Sequence, residues 1–174
     1  MRIYLVGYMY SGKSTVGRQL AHRLGLRFID TDSLFEERYH TTIPLFFHRY
    51  DEVAFRRLEQ QVLHSTALMD NVVVATGGGT PCYADNMDWI NLHGVSVHLD
   101  ASLSCLLERA GRSRHARPLL AEMEAAEREA YMRRQLEERM PVYTRALLRL
   151  EADNPDIQDF VKALDARGQN VTKT

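Results

Sequence analysis

Lysine is almost missing from this chain. Of 174 residues only Lys13, Lys162 and Lys173 are lysine; the other basic side chains are arginine, and 22 Lys+Arg face 23 Asp+Glu for a formal net charge of −1. Without a basic excess there is little to neutralise a phosphate backbone, which excludes nucleic acid as the main partner. Cysteine is equally scarce. Cys82 and Cys105 are too few and too poorly spaced for a disulfide framework or a metal site, and they read as a reducing compartment. No apolar run approaches membrane-spanning length. The chain starts directly on an apolar strand pattern and not on a leader segment. A soluble cytoplasmic protein without a membrane partner is expected. The seven histidines show no zinc spacing and receive no role.

What is present suits one domain over residues 1–174, with 45% hydrophobic and 26% charged residues. The most informative stretch is residues 2–24. Ile3 to Val6 reads as a buried strand, Gly7 and Gly12 bracket a loop, and Lys13, Ser14 and Thr15 open an amphipathic run through Val16, Leu20 and Leu24. Strand, G-x-x-x-x-G-K-[ST] and helix in this order form a P-loop. Wrapping phosphates requires inward-pointing main-chain N–H groups, hence glycine at the tight positions, and a helix N-terminus that adds unpaired donors. Gly7, Ser11, Gly12, Lys13, Ser14 and Thr15 are therefore the expected nucleotide contacts, with Ser14 as a ligand of Mg²⁺.

Downstream, Leu26–Ile29 reads as a second strand closed by Asp30-Thr31-Asp32, two carboxylates projecting the same way from a strand end. Either they serve Mg²⁺ and a substrate hydroxyl, or Asp32 caps a helix over Ser33–Arg38; the adjoining P-loop favours the first. Residues 43–69 read as helix with a short break. Val53, Leu58, Val62 and Met69 form its apolar stripe, and Glu52, Arg56 and Glu59 a second face that spacing alone makes a solvated ion-pair ladder. Val72–Ala75 is a β-branched strand ending in Thr76, Gly77, Gly78 and Gly79, either a flexible loop or, as its place after a core strand favours, bare main chain that admits a ligand. A helix at Asp85–Asn91, a strand at Val95–Leu99 and a helix at Leu103–Arg109 follow. The cationic stretch from Gly111 to Pro118 is a candidate lid. A charged helical stretch over 119–140 is broken at Met140-Pro141, Arg145–Leu150 is the last strand, and Ile157–Leu164 a terminal helix before a polar tail. Alternating strands and helices predict an α/β fold, a three-layer α/β/α sandwich on a mostly parallel five-stranded sheet.

These pieces together resemble the shikimate kinases, small P-loop kinases of the nucleoside-monophosphate-kinase superfamily. The resemblance covers nearly the whole chain. It rests on G-Y-M-Y-S-G-K-S-T at 7–15, F-I-D-T-D at 28–32, E-V-A-F-R-R-L-E at 52–59, A-T-G-G-G at 75–79, R-P-L-L at 117–120 and R-M-P-V-Y at 139–143. It implies a P-loop kinase fold with a substrate-binding helical segment near 33–62 and a lid near 110–122. It implies transfer of the γ-phosphoryl group of ATP to the 3-hydroxyl of shikimate, on the route to chorismate and aromatic amino acids. Asp32, Arg56, Glu59, Gly77, Gly78, Gly79 and Arg139 would surround shikimate, the two arginines gripping its carboxylate and Glu59 orienting Arg56. Lys13, Asp32 and Arg117 would be catalytic, Arg112 and Arg117 would join the nucleotide contacts, and Ser14 and Asp30 would serve Mg²⁺. A monomer is expected.

The chain departs from the family pattern in three places. Asp51 replaces a glycine before the E-x-x-F-R-x-x-E run, a position that calls for a positive φ if glycine is needed there. Bulky Tyr8 and Tyr10 stand in the P-loop, and Arg109 and Arg112 compete for the adenine-stacking role. Two rival readings are another small-molecule P-loop kinase of the gluconate-kinase kind, and a nucleotide-binding module without catalysis.

Overall fold

Short β-branched runs alternate with amphipathic segments, and the chain folds as that alternation demands. The computed structural model describes residues 1–113, 120 and 123–171, with residues 165–171 as main chain alone. Five strands, β1 (Arg2–Val6), β2 (Arg27–Asp30), β3 (Val72–Ala75), β4 (Val95–Asp100) and β5 (Leu148–Glu151), form one sheet in the order β2-β3-β1-β4-β5. Every pairing is parallel, with Leu5 opposite Ala75 and Val97. Parallel neighbours need crossover connections, and helices supply them.

The described helices are α1 (Lys13–Leu24), α2 (Thr31–Tyr39), α3 (Ile43–Arg49), α4 (Glu52–Ser65), α5 (Asn86–His93), α6 (Leu103–Arg112), α7 (Ala125–Tyr143) and α8 (Ile157–Val171). The period-2 alternation of β1 divides the core between the faces of the sheet. Ile3 and Leu5 pack with Val16 and Leu20 of α1, Leu106 of α6 and Phe160 of α8. Tyr4 and Val6 pack on the other face with Leu63 of α4 and Met87 and Ile90 of α5. Burying each such Leu, Ile or Val stabilises the fold by about 1.5–3 kcal/mol. A third cluster lies outside these layers. Phe35, Phe46 and Phe55, with ring centroids 5.0–6.0 Å apart, join Val62 to give α2–α4 a core of their own.

Several boundaries differ from the sequence reading, each for a physical reason. β2 runs one residue further, to Asp30, and α2 begins at once at Thr31. Asp30 is therefore the helix cap, its carboxylate accepting the Asp32 N–H at 3.0 Å, and Asp32 sits in the first helical turn. The two carboxylates do not share a strand face. On α4, Val53 is 64% exposed and the buried stripe is Phe55, Glu59, Val62 and Leu63. Asp51 has φ −84°, so no positive φ is required; its side chain caps α4 by accepting the Ala54 N–H at 2.8 Å. α6 continues to Arg112, placing Gly111 in a helix and not at the start of a loop. α7 runs through Pro141 without a break, although proline removes an N–H donor and crowds the carbonyl four residues back; Pro141 lies in the last turn, which Thr144 N–H closes onto Met140 O. β5 starts later, at Leu148, and α8 extends through Gly168 to Val171.

Candidate active site

The P-loop takes its shape from main-chain geometry. Gly7 has φ +144° and its missing Cβ would lie 2.7 Å from the Leu99 carbonyl oxygen, so no other residue fits there. Gly12, at φ +93°, precedes α1 and offers no side-chain cap, and the first turn carries no acid. The helix N-terminus is thus open to an anion. Tyr10 holds φ +64°, a strained conformation for a bulky residue, and its carbonyl together with that of Ser11 accepts from the Arg109 guanidinium at 3.3 and 3.0 Å. Arg109 also donates to Ala152 O and so braces the loop from below.

Lys13 is buried, with Nζ donating to the carbonyls of Gly7 at 2.8 Å and Tyr8 at 2.7 Å. Ser11 is buried too, and its hydroxyl has no hydrogen-bond partner among the described residues. Ser14 Oγ donates to Asp30 Oδ2 at 2.6 Å. A hydroxyl and a carboxylate at the mouth of a phosphate cradle are hard oxygen donors and fit a small divalent cation. Thr15 is exposed in the first turn of α1. Arg112 stands on the surface in an ion pair with Glu108 at 2.7 Å. Arg117 and most of the lid over 110–122 lie outside the described residues.

The second half of the site gathers side chains from three distant segments. Arg56 of α4 donates to Glu59 Oε2 at 2.7 Å and, through Nε and Nη2, to Glu52 Oε1 at 3.3 and 3.2 Å. This is no solvated ladder: the Glu59 side chain is only 5% exposed. Burial works against the charge on Arg56, but the two carboxylates outweigh it and raise its affinity for the proton. Glu59 Oε1 accepts the Thr80 hydroxyl at 2.6 Å.

The glycine run makes room mainly for protein side chains. A Cβ on Gly79 would lie 2.6–2.8 Å from the Arg56 guanidinium, and one on Gly77 2.8 Å from Glu59 Oε1 and 2.9 Å from Asp32 Oδ1. Gly78 faces Arg139 Nη1 across 3.7 Å, measured from the same imagined atom. A cleft of about 390 Å³ is lined by Glu52, Arg56, Gly79, Cys82, Tyr83 and Arg139, so both arginines predicted as a clamp open into one space. A larger hollow of about 640 Å³, lined by Tyr39, Phe46, Tyr50 and Leu58 among others, contains no P-loop or glycine-run residue.

Arg139 is held from two sides. Its guanidinium carbon lies 5.7 Å from the Tyr8 ring centroid, and the Tyr8 hydroxyl donates to Gln135 of the same helix at 2.7 Å. Tyr143, fully buried, donates to Gly78 O at 2.6 Å, and burial pushes its hydroxyl far above the usual range against the pull of Arg139. Burial likewise raises the Cys82 thiol, opposed by Arg139 and Arg56. Sequence reading gave no role to Tyr8, Thr80, Cys82 or Tyr143. Tyr143 stands inside the quoted R-M-P-V-Y run, but nothing in spacing reveals a bond to residue 78.

The sequence model of the shikimate kinase family matches residues 9–166. A shikimate kinase of Parabacteroides distasonis is 40% identical over 167 residues, 94% of this chain and 96% of that one. Among solved structures, shikimate kinase from Bacteroides thetaiotaomicron superposes with a TM-score of 0.86 at 37% identity, covering 100% of this chain and 99% of that one. Shikimate kinase from Acinetobacter baumannii, solved in complex with shikimate, gives 0.84 at 36% identity over 97% of this chain and 93% of that one. A P-loop facing a two-arginine cleft across a glycine run, in a chain matched almost end to end, leads to one conclusion: the chain belongs to the shikimate kinase family.

Proposed function

We propose that this chain transfers the γ-phosphoryl group of ATP to the 3-hydroxyl of shikimate, with residues 33–62 as its substrate-binding segment and residues 110–122 as a lid, in one domain. The observation that carries the reading is the opening of Arg56 and Arg139 into one cleft beside Gly79. Two guanidinium forks match one carboxylate and leave a ring little freedom to turn, which aligns its hydroxyl with the phosphate chain. Gly79 supplies close main chain along the same wall, and Gly77 and Gly78 complete the run beside it.

The remaining roles follow the family resemblance. Main-chain donors from Gly7 to Thr15 hold the ATP phosphates, with the lid residues Arg112 and Arg117 as further nucleotide contacts. The substrate hydroxyl oxygen bonds to the γ-phosphorus as the bond to the β-γ bridging oxygen breaks, ADP leaves, and Asp32 receives the hydroxyl proton. Lys13 moves from its carbonyl partners to the phosphates, and with Arg117 offsets the charge on the transferring group. Ser14 and Asp30 would hold Mg²⁺, which neutralises phosphate charge when bound. The chain works as a cytoplasmic monomer.

The test is Mg²⁺-dependent ADP release from ATP with shikimate, run beside gluconate, AMP and no acceptor. Release with shikimate alone is expected. Release with gluconate instead would overturn the clamp assignment, and nucleotide binding without any turnover would make the chain a binding module. In Arg139→Ala the KM for shikimate should rise about a hundredfold, as loss of a charged two-point contact predicts, with the KM for ATP within twofold.

A further inference from the structure

We propose that Thr80 is a positioning residue for the substrate clamp: its hydroxyl fixes Glu59, and Glu59 in turn aims Arg56 at the shikimate carboxylate. The inference rests on the reading of Arg56 given above. Glu59 is 4% exposed, and a carboxylate so deeply buried persists only when donors fill its oxygens. Arg56 occupies one oxygen at 2.7 Å and Thr80 the other at 2.6 Å. Without the hydroxyl, Glu59 loses one of its two anchors and is free to turn. Arg56 then keeps a firm hold only on Glu52, whose side chain is 70% exposed.

The aim of the Thr80 hydroxyl is set by the main chain. Thr80 is fully buried, its N–H donates to Gly77 O at 3.1 Å, and its carbonyl accepts from Asn86 Nδ2 at 2.8 Å. Asn86 Oδ1 accepts from Gln60, the neighbour of Glu59 on α4, at 2.9 Å. A closed ring of bonds therefore ties Thr80 to the helix that bears the clamp. The β-branch restricts χ1, so the hydroxyl has little choice of direction. Gly77 completes the arrangement: Glu59 Oε1 and Thr80 Oγ1 each lie 2.8 Å from where its Cβ would be, so any side chain there would part them.

The experiment compares Thr80→Val, which keeps volume and loses the donor, with Thr80→Ser, which keeps the donor and loses a methyl. Expected for Thr80→Val is a KM for shikimate raised about tenfold, with kcat and the KM for ATP within about twofold, as for a lost hydrogen bond to a charged group. Thr80→Ser should keep a wild-type KM even though its missing methyl lowers Tm. Should valine not fold, Thr80→Ala carries the same expectation. A KM that follows Tm, worse in serine than in valine, overturns the proposal, as does an unchanged KM in valine. Arg56→Ala is the control: a raised KM there beside an unchanged one in Thr80→Val removes the Thr80 role alone. An unchanged KM in Arg56→Ala removes the clamp and this inference together.

Discussion

The two halves of the site are built by opposite means. The phosphate loop is local: residues 7–15 supply its glycines, its lysine and its open helix end, and Lys13 is held by carbonyls only five and six positions away. The two-arginine cleft is assembled at long range, from α4, the glycine run and α7. Behind its arginines Glu59 is buried and satisfied by Arg56 and Thr80. A main-chain cradle depends on a few permitted φ angles, and a side-chain cleft depends on three elements arriving in register. Damage to the first should therefore strike turnover, and damage to the second should strike recognition.

The sharpest way to break this contrast is Lys13→Met. On the proposed phosphate role, loss of the Lys13 charge should lower kcat by about 10²–10³-fold with little change in shikimate KM, since such a group acts on charge developing in transfer. Stopped or single-turnover assays on folded protein would check it; full activity would contradict the local half of the comparison.

Next comes a pair of glycine substitutions. Gly79→Ala puts a methyl within 2.8 Å of the Arg56 guanidinium, the movable end of a long side chain. The clamp should yield before the fold does, raising shikimate KM about tenfold while Tm barely moves. Gly25→Ala has nothing within 4 Å but sits at φ +64°, so it should destabilise by about 1 kcal/mol without touching either KM. Denaturant melts beside steady-state kinetics would separate the two effects.

The smallest expected effect concerns acid. His98, buried within β4 with its ring 5.5 Å from that of Tyr143, has its proton affinity lowered by burial, with Asp100 opposing. The unfolded chain takes up that proton near pH 6.5 while the folded chain resists it, so stability is lost as pH falls below that value. His98→Gln should show a smaller fall in urea midpoint between pH 7.5 and 5.5 than the parent. An identical fall in both would remove His98 from the balance.

These contrasts mirror what could be read from the chain unfolded. Strand, loop and helix at residues 2–24 were legible because a P-loop needs glycine, lysine and hydroxyl at fixed local offsets, and those offsets survive in any context. The parallel sheet was legible for a related reason, since β-branched runs such as Val72–Ala75 must be buried on both faces and so need helices on either side. Ends of elements were harder: Pro141 reads as a break, yet it lies in the last turn of a helix that continues to Tyr143.

The composition and motifs of this sequence determined that it binds phosphate at one loop, that its fold is α/β, and which arginines were available to meet an acid. Only the tertiary structure decided where those arginines sit and what holds them. Spacing made Glu52, Arg56 and Glu59 look like a wet ladder; packing of α4 against the glycine run buried Glu59 and brought Thr80 onto the same carboxylate. The physical reason is that burial and hydrogen-bond completion belong to surfaces distant in sequence, as Glu59 and Thr80 are across 21 residues, and no local pattern carries that information.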